Sequence, residues 1–374
     1  MKIFISLPSG HLMKIRIRGG YFIPDLETPK EAHIELTNEC NLNCTICYRR
    51  WFERSGFMDS DLFRKILSDL KDIGVKSIWF DGFGEPTFHP KFEELSSIAS
   101  RDFELNLVTN GTLVGSKLKC VSENFTNVFV SLEASDPLLY SRVRGFEFER
   151  LNDVMRSLVK EGVRVWISTV LLKDTYEALP SLVKWASELG IRGILTSNLI
   201  PTSEQMSEEK LYGRVEVDHV SEVVRESWIL ATSNNMKLLA PSFYYRSDKW
   251  CPFVEGNSLA ITYEGDVSPC LFALHDYRAW IEVKEVQVKQ ISFGNLRERS
   301  LREIWFSEDY VTFRSFVKLS NYPSCHDCPA WEGCQISESN EYDCWGNSPS
   351  CSFCPYYRGV VRCPTGHVVR GLLS

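Results

Sequence analysis

The segment Glu39-Cys40-Asn41-Leu42-Asn43-Cys44-Thr45-Ile46-Cys47-Tyr48 follows directly on an apolar stretch, His33 to Leu36, that reads as a strand. Its spacing is Cys-x3-Cys-x2-Cys. Three thiolates from one loop can grip three irons of a four-iron cluster and leave the fourth iron without a protein ligand. A structural zinc would want a fourth ligand and pairwise spacing, and no nearby histidine supplies one. Cys40, Cys44 and Cys47 are therefore the candidate catalytic and metal-ligating residues.

Downstream of this loop, strands alternate with amphipathic helices. The expected strands are His33 to Leu36, Ser77 to Phe80, Leu105 to Thr109, Val128 to Leu132, Val165 to Leu171 and Gly193 to Ser197. Between them, Leu62, Ile66, Leu70 and Ile73 recur at helical steps behind the capping residues Asp59 and Ser60. Helices also fit Lys91 to Ala99, Phe148 to Glu161, Tyr176 to Leu189 and His219 to Ser233. Six such units in succession predict an α/β fold, either a parallel sheet or an incomplete barrel of (β/α)6 type, with active groups in the loops after the strand C-terminal ends. Ahead of it, residues 1–30 read as a small β cap built on Lys2 to Leu7 and Met13 to Arg18 and closed by Gly19-Gly20. The barrel is expected over 31–215, a helical linker over 216–245, and a cysteine-rich iron–sulfur domain over 246–374.

Composition narrows the function classes. The chain has 374 residues, long enough to bury a core without disulfide staples, so its 13 cysteines call for another purpose. A net charge of −7 argues against a nucleic-acid partner. No apolar run approaches the roughly 20 residues that span a bilayer, and the N-terminal apolar run is too brief for a signal peptide, so a soluble cytoplasmic protein is expected. In a reducing compartment, closely spaced thiols hold metal more often than they pair.

These residues resemble the radical S-adenosylmethionine enzymes, whose defining loop is a cysteine triad after the first strand of a partial six-unit barrel. The resemblance implies that the open iron is chelated by the amino and carboxylate groups of S-adenosylmethionine. Reductive cleavage of the sulfonium would then give a 5'-deoxyadenosyl radical. Asp81-Gly82-Phe83-Gly84-Glu85-Pro86 after the second strand is similar to that family's Gly-Gly-Glu-Pro segment, with Phe83 interposed. Glycines there let backbone approach a ligand closely. By the same resemblance, Gly82, Gly84, Glu85 and Pro86, Asn110 after the third strand, and Ser131 and Glu133 after the fourth surround the cofactor. Ser131 and Glu133 would face its ribose or amino group, and Arg144 would pair with its carboxylate through a planar fork. The family commonly has an aromatic residue before the third cysteine; here Ile46 stands there, with Tyr48 close by.

Nine cysteines lie between Cys251 and Cys363. Cys251, Cys270, Cys325, Cys328, Cys334, Cys344, Cys351, Cys354 and Cys363 are the candidate ligands of one or two auxiliary iron–sulfur clusters. Cys251 to Cys270 and Cys325 to Cys334 resemble the cysteine-rich C-terminal extension (SPASM-like) of radical enzymes that mature peptides and cofactors. The next cysteine, usually four positions on, is here delayed to Cys344. An alternative pairs Cys325-x2-Cys328 with Cys351-x2-Cys354 around a structural zinc. Among histidines, His33 reads as packed, His89 as able to face the cavity, and His275 and His326 as able to hydrogen-bond a cluster.

The segments Ile23-Pro24-Asp25-Leu26, Gly82 to Pro90, Ser292-Phe293-Gly294-Asn295-Leu296, Ser300 to Trp305 and Asp343-Cys344-Trp345-Gly346-Asn347 are similar to the maturases associated with tungsten-cofactor oxidoreductases. That resemblance implies a radical maturase acting on a tungsten-pterin cofactor or its partner oxidoreductase, with an electron donor such as a ferredoxin. A peptide-modifying radical maturase and a non-catalytic zinc or iron–sulfur scaffold are the alternatives.

Overall fold

A computed structural model of the chain describes residues 27–213 and 216–362 in full, together with the backbone of three earlier strands, β1 Lys2–Ser6, β2 Leu12–Arg18 and β3 Tyr21–Pro24. Cys363, the tail 364–374, Leu7, Gly19-Gly20 and Asp25-Leu26 lie outside the described residues. The three strands form an antiparallel sheet in the order β1-β2-β3, one strand more than the cap was expected to hold.

Six parallel strands follow: β4 Glu31–Ile34, β5 Ser77–Phe80, β6 Glu104–Thr109, β7 Asn127–Ser131, β8 Arg164–Leu171 and β9 Gly193–Asn198. They stand side by side in chain order, as the alternation of strand and helix predicts. The connecting helices are α1 Ser60–Ile73, α2 Phe92–Ala99, α3 Leu118–Asn124, α4 Pro137–Arg144, α5 Phe148–Lys160 and α6 Leu179–Leu189. α1 starts where Asp59 accepts from the Leu62 N–H at 2.8 Å and stops at Gly74, whose φ of 93° suits only a residue without Cβ.

The sheet runs on past the expected boundary at 246. After α7 Glu204–Ser207 and α8 Asp218–Ser233, β10 Lys237–Leu239 joins β9 in parallel. After α9 Pro252–Gly256, β11 Ser258–Ile261 pairs in parallel with β4 and carries β12 Val267–Ser268 on its outer edge. The cysteine-rich region also includes the hairpin β13 Tyr277–Ile281 with β14 Lys284–Val288, then α10 Leu301–Trp305 and α11 Glu308–Lys318. Ser300 and Glu303 start α10 with a capping box. Leu301, Ile304, Trp305 and Tyr310 belong to the same core as Leu62, Ile66 and Ile34. Residues 252–319 thus share the barrel's apolar burial and do not depend on metal alone for order.

Side chains alternate along each strand. Ala32, Ile34, Ile78, Leu105 and Val128 meet the helices. The opposite face carries an aromatic row, His33 on Trp79 (5.6 Å, 13°), Trp79 against Phe129 (5.2 Å) and Phe129 on Trp166 (5.7 Å, 11°). Beside this row, Asn127 donates to Asn106 at 2.8 Å, Asn106 to Ser77 at 3.0 Å and Trp166 to Asn127 at 3.3 Å, so buried amides satisfy one another.

His33 is wholly buried, with Nδ1 2.6 Å from Asp81 Oδ2 and Glu31 3.9 Å from Nε2. Burial alone would lower its pKa, but the Asp81 and Glu31 carboxylates outweigh it and raise it to about 9. Burial also raises Asp81. Both shifts make the folded state bind more protons than the unfolded one. The His33 contribution is therefore complete below its unfolded value of 6.5 and is lost as pH climbs through about 9, and the raised Asp81 acts in the same direction from its own unfolded value of 3.8 upward. Urea unfolding should show the parent losing about 1–3 kcal/mol more between these pH values than a His33→Gln/Asp81→Asn double variant. Equal pH slopes in the two proteins would refute the raised His33 pKa.

Candidate active site

The cysteine loop is held by hydrogen bonds within the chain. Thr37 Oγ1 donates to Gly56 O at 2.6 Å, Asn38 bridges Arg54 O and Gly56 N, and Arg49 donates to Asn38 O at 2.8 Å and Leu42 O at 3.2 Å. Cys44 is buried, and Cys40 and Cys47 are half-buried. N–H donors reach two of the sulfurs. Leu42 N lies 3.4 Å and Asn110 Nδ2 3.6 Å from Cys40 Sγ, and Arg144 Nη1 lies 3.8 Å from Cys44 Sγ. Burial raises the Cys40 and Cys44 thiol pKa values, while the Leu42 N–H and Arg144 act in the other direction. Such donors favour thiolate sulfur and, with three thiols on one loop, suit the ligation of an iron–sulfur cluster.

All three thiols line a cavity of about 290 Å3 at the C-terminal ends of the strands. Ile46, Tyr48, Gly82, Gly84, Glu85, Asn110, Ser131 and Arg144 line it too. Two expected site residues do not. Pro86 is buried at the start of a single 3-10 turn, behind the wall. Glu133 is fully buried, and both its oxygens accept from Arg144, from Nε at 2.8 Å and from Nη2. Arg144, expected to meet a cofactor carboxylate, forks onto this internal one. A buried cation and anion pair because each alone would be costly to desolvate. What remains is Nη1, directed at Cys44.

The glycines owe their identity to the protein, where a ligand's close approach was expected. A Cβ on Gly84 would stand 2.1 Å from Thr37 O and 2.6 Å from Glu39 O, and one on Gly82, at φ 128°, would stand 2.8 Å from Glu35 Cγ. The β5 loop lies flat on the cysteine loop, and Glu85 N donates to Glu39 O at 2.8 Å. The Glu85 carboxylate accepts from Thr87 N (3.0 Å), Thr109 Oγ1 (2.7 Å) and Asn110 N (2.6 Å), bracing the β5 loop to the end of β6.

Sequence reasoning missed the far wall. Leu271, Phe272, Tyr277, Tyr356, Val361 and Arg362 come from the cysteine-rich region and line the same cavity. Phe83 packs between Tyr48 (5.6 Å), Phe52 (5.1 Å) and Tyr277 (5.6 Å). No local pattern marks these residues, since the contacts span the two halves of the chain. His89 stands outside the cavity, with Nε2 on Met58 O at 2.9 Å. His275 meets Glu35 Oε2 at 2.6 Å, and buried His326 stacks on Tyr245 at 4.2 Å.

The later cysteines fall into two groups. Cys251, Cys270, Cys351 and Cys354 line one enclosed apolar cavity. Burial raises Cys251 to about 12 and Cys270 to about 11, values that favour the neutral thiol until a metal displaces the proton. Cys325, Cys328, Cys334 and Cys344 lie on a turn-rich segment around Trp331, where Cys334 and Cys344 act on the Cys325 thiol. A zinc shared by Cys325-x2-Cys328 and Cys351-x2-Cys354 does not match this division. Cys120 is a buried thiol in α3 beside Asn124.

Residues 34–186 match the family model of the Radical SAM superfamily, and residues 251–329 match that of the SPASM iron–sulfur cluster-binding domain. The chain is 35% identical over 349 residues to the tungsten-containing aldehyde ferredoxin oxidoreductase cofactor-modifying protein of Pyrococcus furiosus, covering 90% of this chain and 97% of that protein. It is 26% identical over 333 residues to a PqqA peptide cyclase of Xanthomonas oryzae, covering 82% and 83% of the two chains. The fold is shared with Streptococcus suis SuiB bound to S-adenosylmethionine, at a TM-score of 0.62 and 20% identity, covering 83% of this chain and 73% of that one. No helix among the described residues is long and apolar enough to cross a membrane.

If the two cysteine groups hold separate clusters, alanine at Cys251, Cys270, Cys351 or Cys354 should each lower bound iron by about four and remove one set of spectroscopic signals. Alanine at Cys325, Cys328, Cys334 or Cys344 should remove a different set. Signals that intermix across the two groups would refute the division. Gly84→Ala should lower the unfolding free energy by about 1–3 kcal/mol in urea titration, because its Cβ meets backbone that cannot step aside.

Proposed function

The chain belongs to the radical S-adenosylmethionine superfamily and is an enzyme of it, and from that premise we propose that it is a maturase of a tungsten-pterin cofactor or of the oxidoreductase that carries it. Its cofactors are iron–sulfur clusters and S-adenosylmethionine. When bound, the cluster and S-adenosylmethionine together supply a 5'-deoxyadenosyl radical able to abstract hydrogen from a target.

In this reading, Cys40, Cys44 and Cys47 hold the cluster. Asn110 and the Leu42 N–H stabilise charge on Cys40, and Arg144, fixed by Glu133, does so on Cys44. Backbone at Gly82 and Gly84 and the Ser131 hydroxyl, all on the cavity wall, offer polar contacts to the cofactor, and Ile46 and Tyr48 offer apolar ones. Phe83, Tyr277 and Phe272 keep water from the reacting centre. Cys251, Cys270, Cys351 and Cys354 hold one auxiliary cluster, and Cys325, Cys328, Cys334 and Cys344 a second. We place the protein in the cytoplasm, with a ferredoxin-type electron donor.

The observation that carries the target is the identity of more than a third spread over nine-tenths of the chain with the Pyrococcus cofactor-modifying protein. The more distant similarity to a peptide cyclase favours a peptide target as the second reading.

Changing Cys40, Cys44 and Cys47 together to alanine should remove about four irons and abolish 5'-deoxyadenosine formation under anaerobic reduction. Co-expression of a tungsten oxidoreductase with and without the chain, followed by mass spectrometry of the extracted cofactor and of the polypeptide, tests the target. A mass difference in either supports the proposal. Two identical samples, with a small peptide modified instead, would replace it by the second reading.

A further inference from the structure

Among the described residues, four carboxylate or guanidinium side chains line the barrel-mouth cavity: Asp81, Glu85, Arg144 and Arg362. Three of them have an oppositely charged or hydrogen-bonding partner within the protein, although Asp81 Oδ1 is left without one. Asp81 meets His33 at 2.6 Å, Glu85 accepts from Thr87, Thr109 and Asn110, and Arg144 forks onto Glu133. Arg362 differs. Among the described residues no carboxylate pairs with it, and its Nε is buried without a hydrogen-bond partner. The charge that acts on it is another cation, Arg246, whose own guanidinium is taken by Asp248. A half-buried guanidinium presents five N–H donors and is costly to leave without an anion.

Arg362 is held in place at the backbone. Ser197 Oγ donates to Arg362 O at 3.1 Å and accepts from Arg362 N at 3.0 Å, and Asn198 Nδ2 donates to Val360 O at 2.7 Å. Ser242 N and Arg246 N donate to Gly359 O and Arg358 O. The segment is thereby clipped to the end of β9, whereas the cysteine loop follows β4 at the other end of the six-strand run. In the reading above, the anionic end of S-adenosylmethionine belongs to the cysteine loop, so a cation fixed at the β9 end is placed for a second molecule.

We propose that Arg362 is the recognition point for an oxyanion, phosphate or carboxylate, carried by a small substrate that enters the barrel mouth. The proposal rests on the radical-enzyme reading and deepens it by naming the substrate's chemistry. Two N–H groups of the guanidinium would donate to two oxygens, a geometry that an ammonium group cannot reproduce.

The test uses the full chain, reconstituted anaerobically with iron and sulfide and saturated with S-adenosylmethionine. It is titrated calorimetrically with inorganic phosphate and, separately, with acetate. At least one probe should bind at one site per chain, and Arg362→Gln should weaken it about tenfold or more, with Arg362→Lys in between. Tighter binding of phosphate assigns a phosphorylated substrate, and tighter binding of acetate a carboxylated one. Iron content equal to the parent's certifies the fold of each variant, and the lysine variant alone is read if the glutamine one fails this check.

In parallel, 5'-deoxyadenosine formation without substrate is followed against S-adenosylmethionine concentration. The half-saturating concentration should stay within about twofold of the parent's. The proposal is overturned if neither probe binds the parent or if the variants bind as tightly as the parent. It is also overturned if half-saturation by S-adenosylmethionine rises about tenfold, because Arg362 would then serve the cofactor. A parent that forms no 5'-deoxyadenosine at all would sink the radical reading instead, and the anion titrations would still be readable.

Discussion

The contact on which the site depends is the one between Gly84 and the backbone of the cysteine loop. Thr37 O and Glu39 O approach so closely that no side chain fits between the two loops. With Glu85 N donating to Glu39 O, and Glu85's carboxylate holding Thr109 and Asn110, three strand ends become one slab. Asn110, placed by that slab, then reaches Cys40 Sγ. A thiol triad on an unsupported loop would have to be ordered by the metal at an entropic cost. Here the order is present in the polypeptide, which is the preorganisation that a site needs if it is to control an open coordination position.

The same economy governs the charges. Below the cavity, the inner face of the sheet holds His33, Asp81, Glu31, Asn106 and Asn127, a set that would be prohibitive to bury unpaired. Each has a partner on a neighbouring strand, and of the five only Asp81 reaches the cavity wall, where its Oδ2 is already committed to His33. Arg144 and Glu133 follow the same rule at the rim. The functional consequence is that the cavity presents few unspent polar groups. Its specificity has to come from shape, from exposed backbone and from the small number of side chains left over.

The barrel was largely legible because its signals are local. Helical periodicity behind Asp59, strand segments of four to six residues rich in apolar side chains, and three thiols at fixed spacing all declare themselves within short windows. The residues after β5, β6 and β7 are named from the family resemblance, and the general rule that active groups follow strand C-terminal ends is consistent with where Gly82, Gly84, Glu85, Asn110 and Ser131 lie. What failed to show were pairings across distance. Nothing near Arg144 announces that Glu133 will take its guanidinium. Nothing around Ser258 to Ile261 says that this strand pairs with β4, more than two hundred residues earlier in the chain. Cysteine spacing likewise gave ligands without partners. Cys351 and Cys354 are read as a knuckle from their spacing, and only the fold sets them beside Cys251 and Cys270.

That last point changes how the two halves should be viewed. β11 and β12 extend the barrel sheet, α10 and α11 share its core, and Phe272, Tyr277, Tyr356 and Arg362 complete the cavity opposite the cysteine loop. The C-terminal half is therefore a wall of the active site, continuous with the barrel. Tyr277 shows the coupling at a single residue. Its ring packs on Tyr48 at 5.1 Å, one position from Cys47, and its hydroxyl donates to Phe272 O at 2.9 Å, two positions from Cys270. One side chain thus connects the loop of the first cysteine group to the segment of another. A substrate that displaced Tyr277 would shift both, and one that left it in place would be confined to the space between the triad and the β9 end.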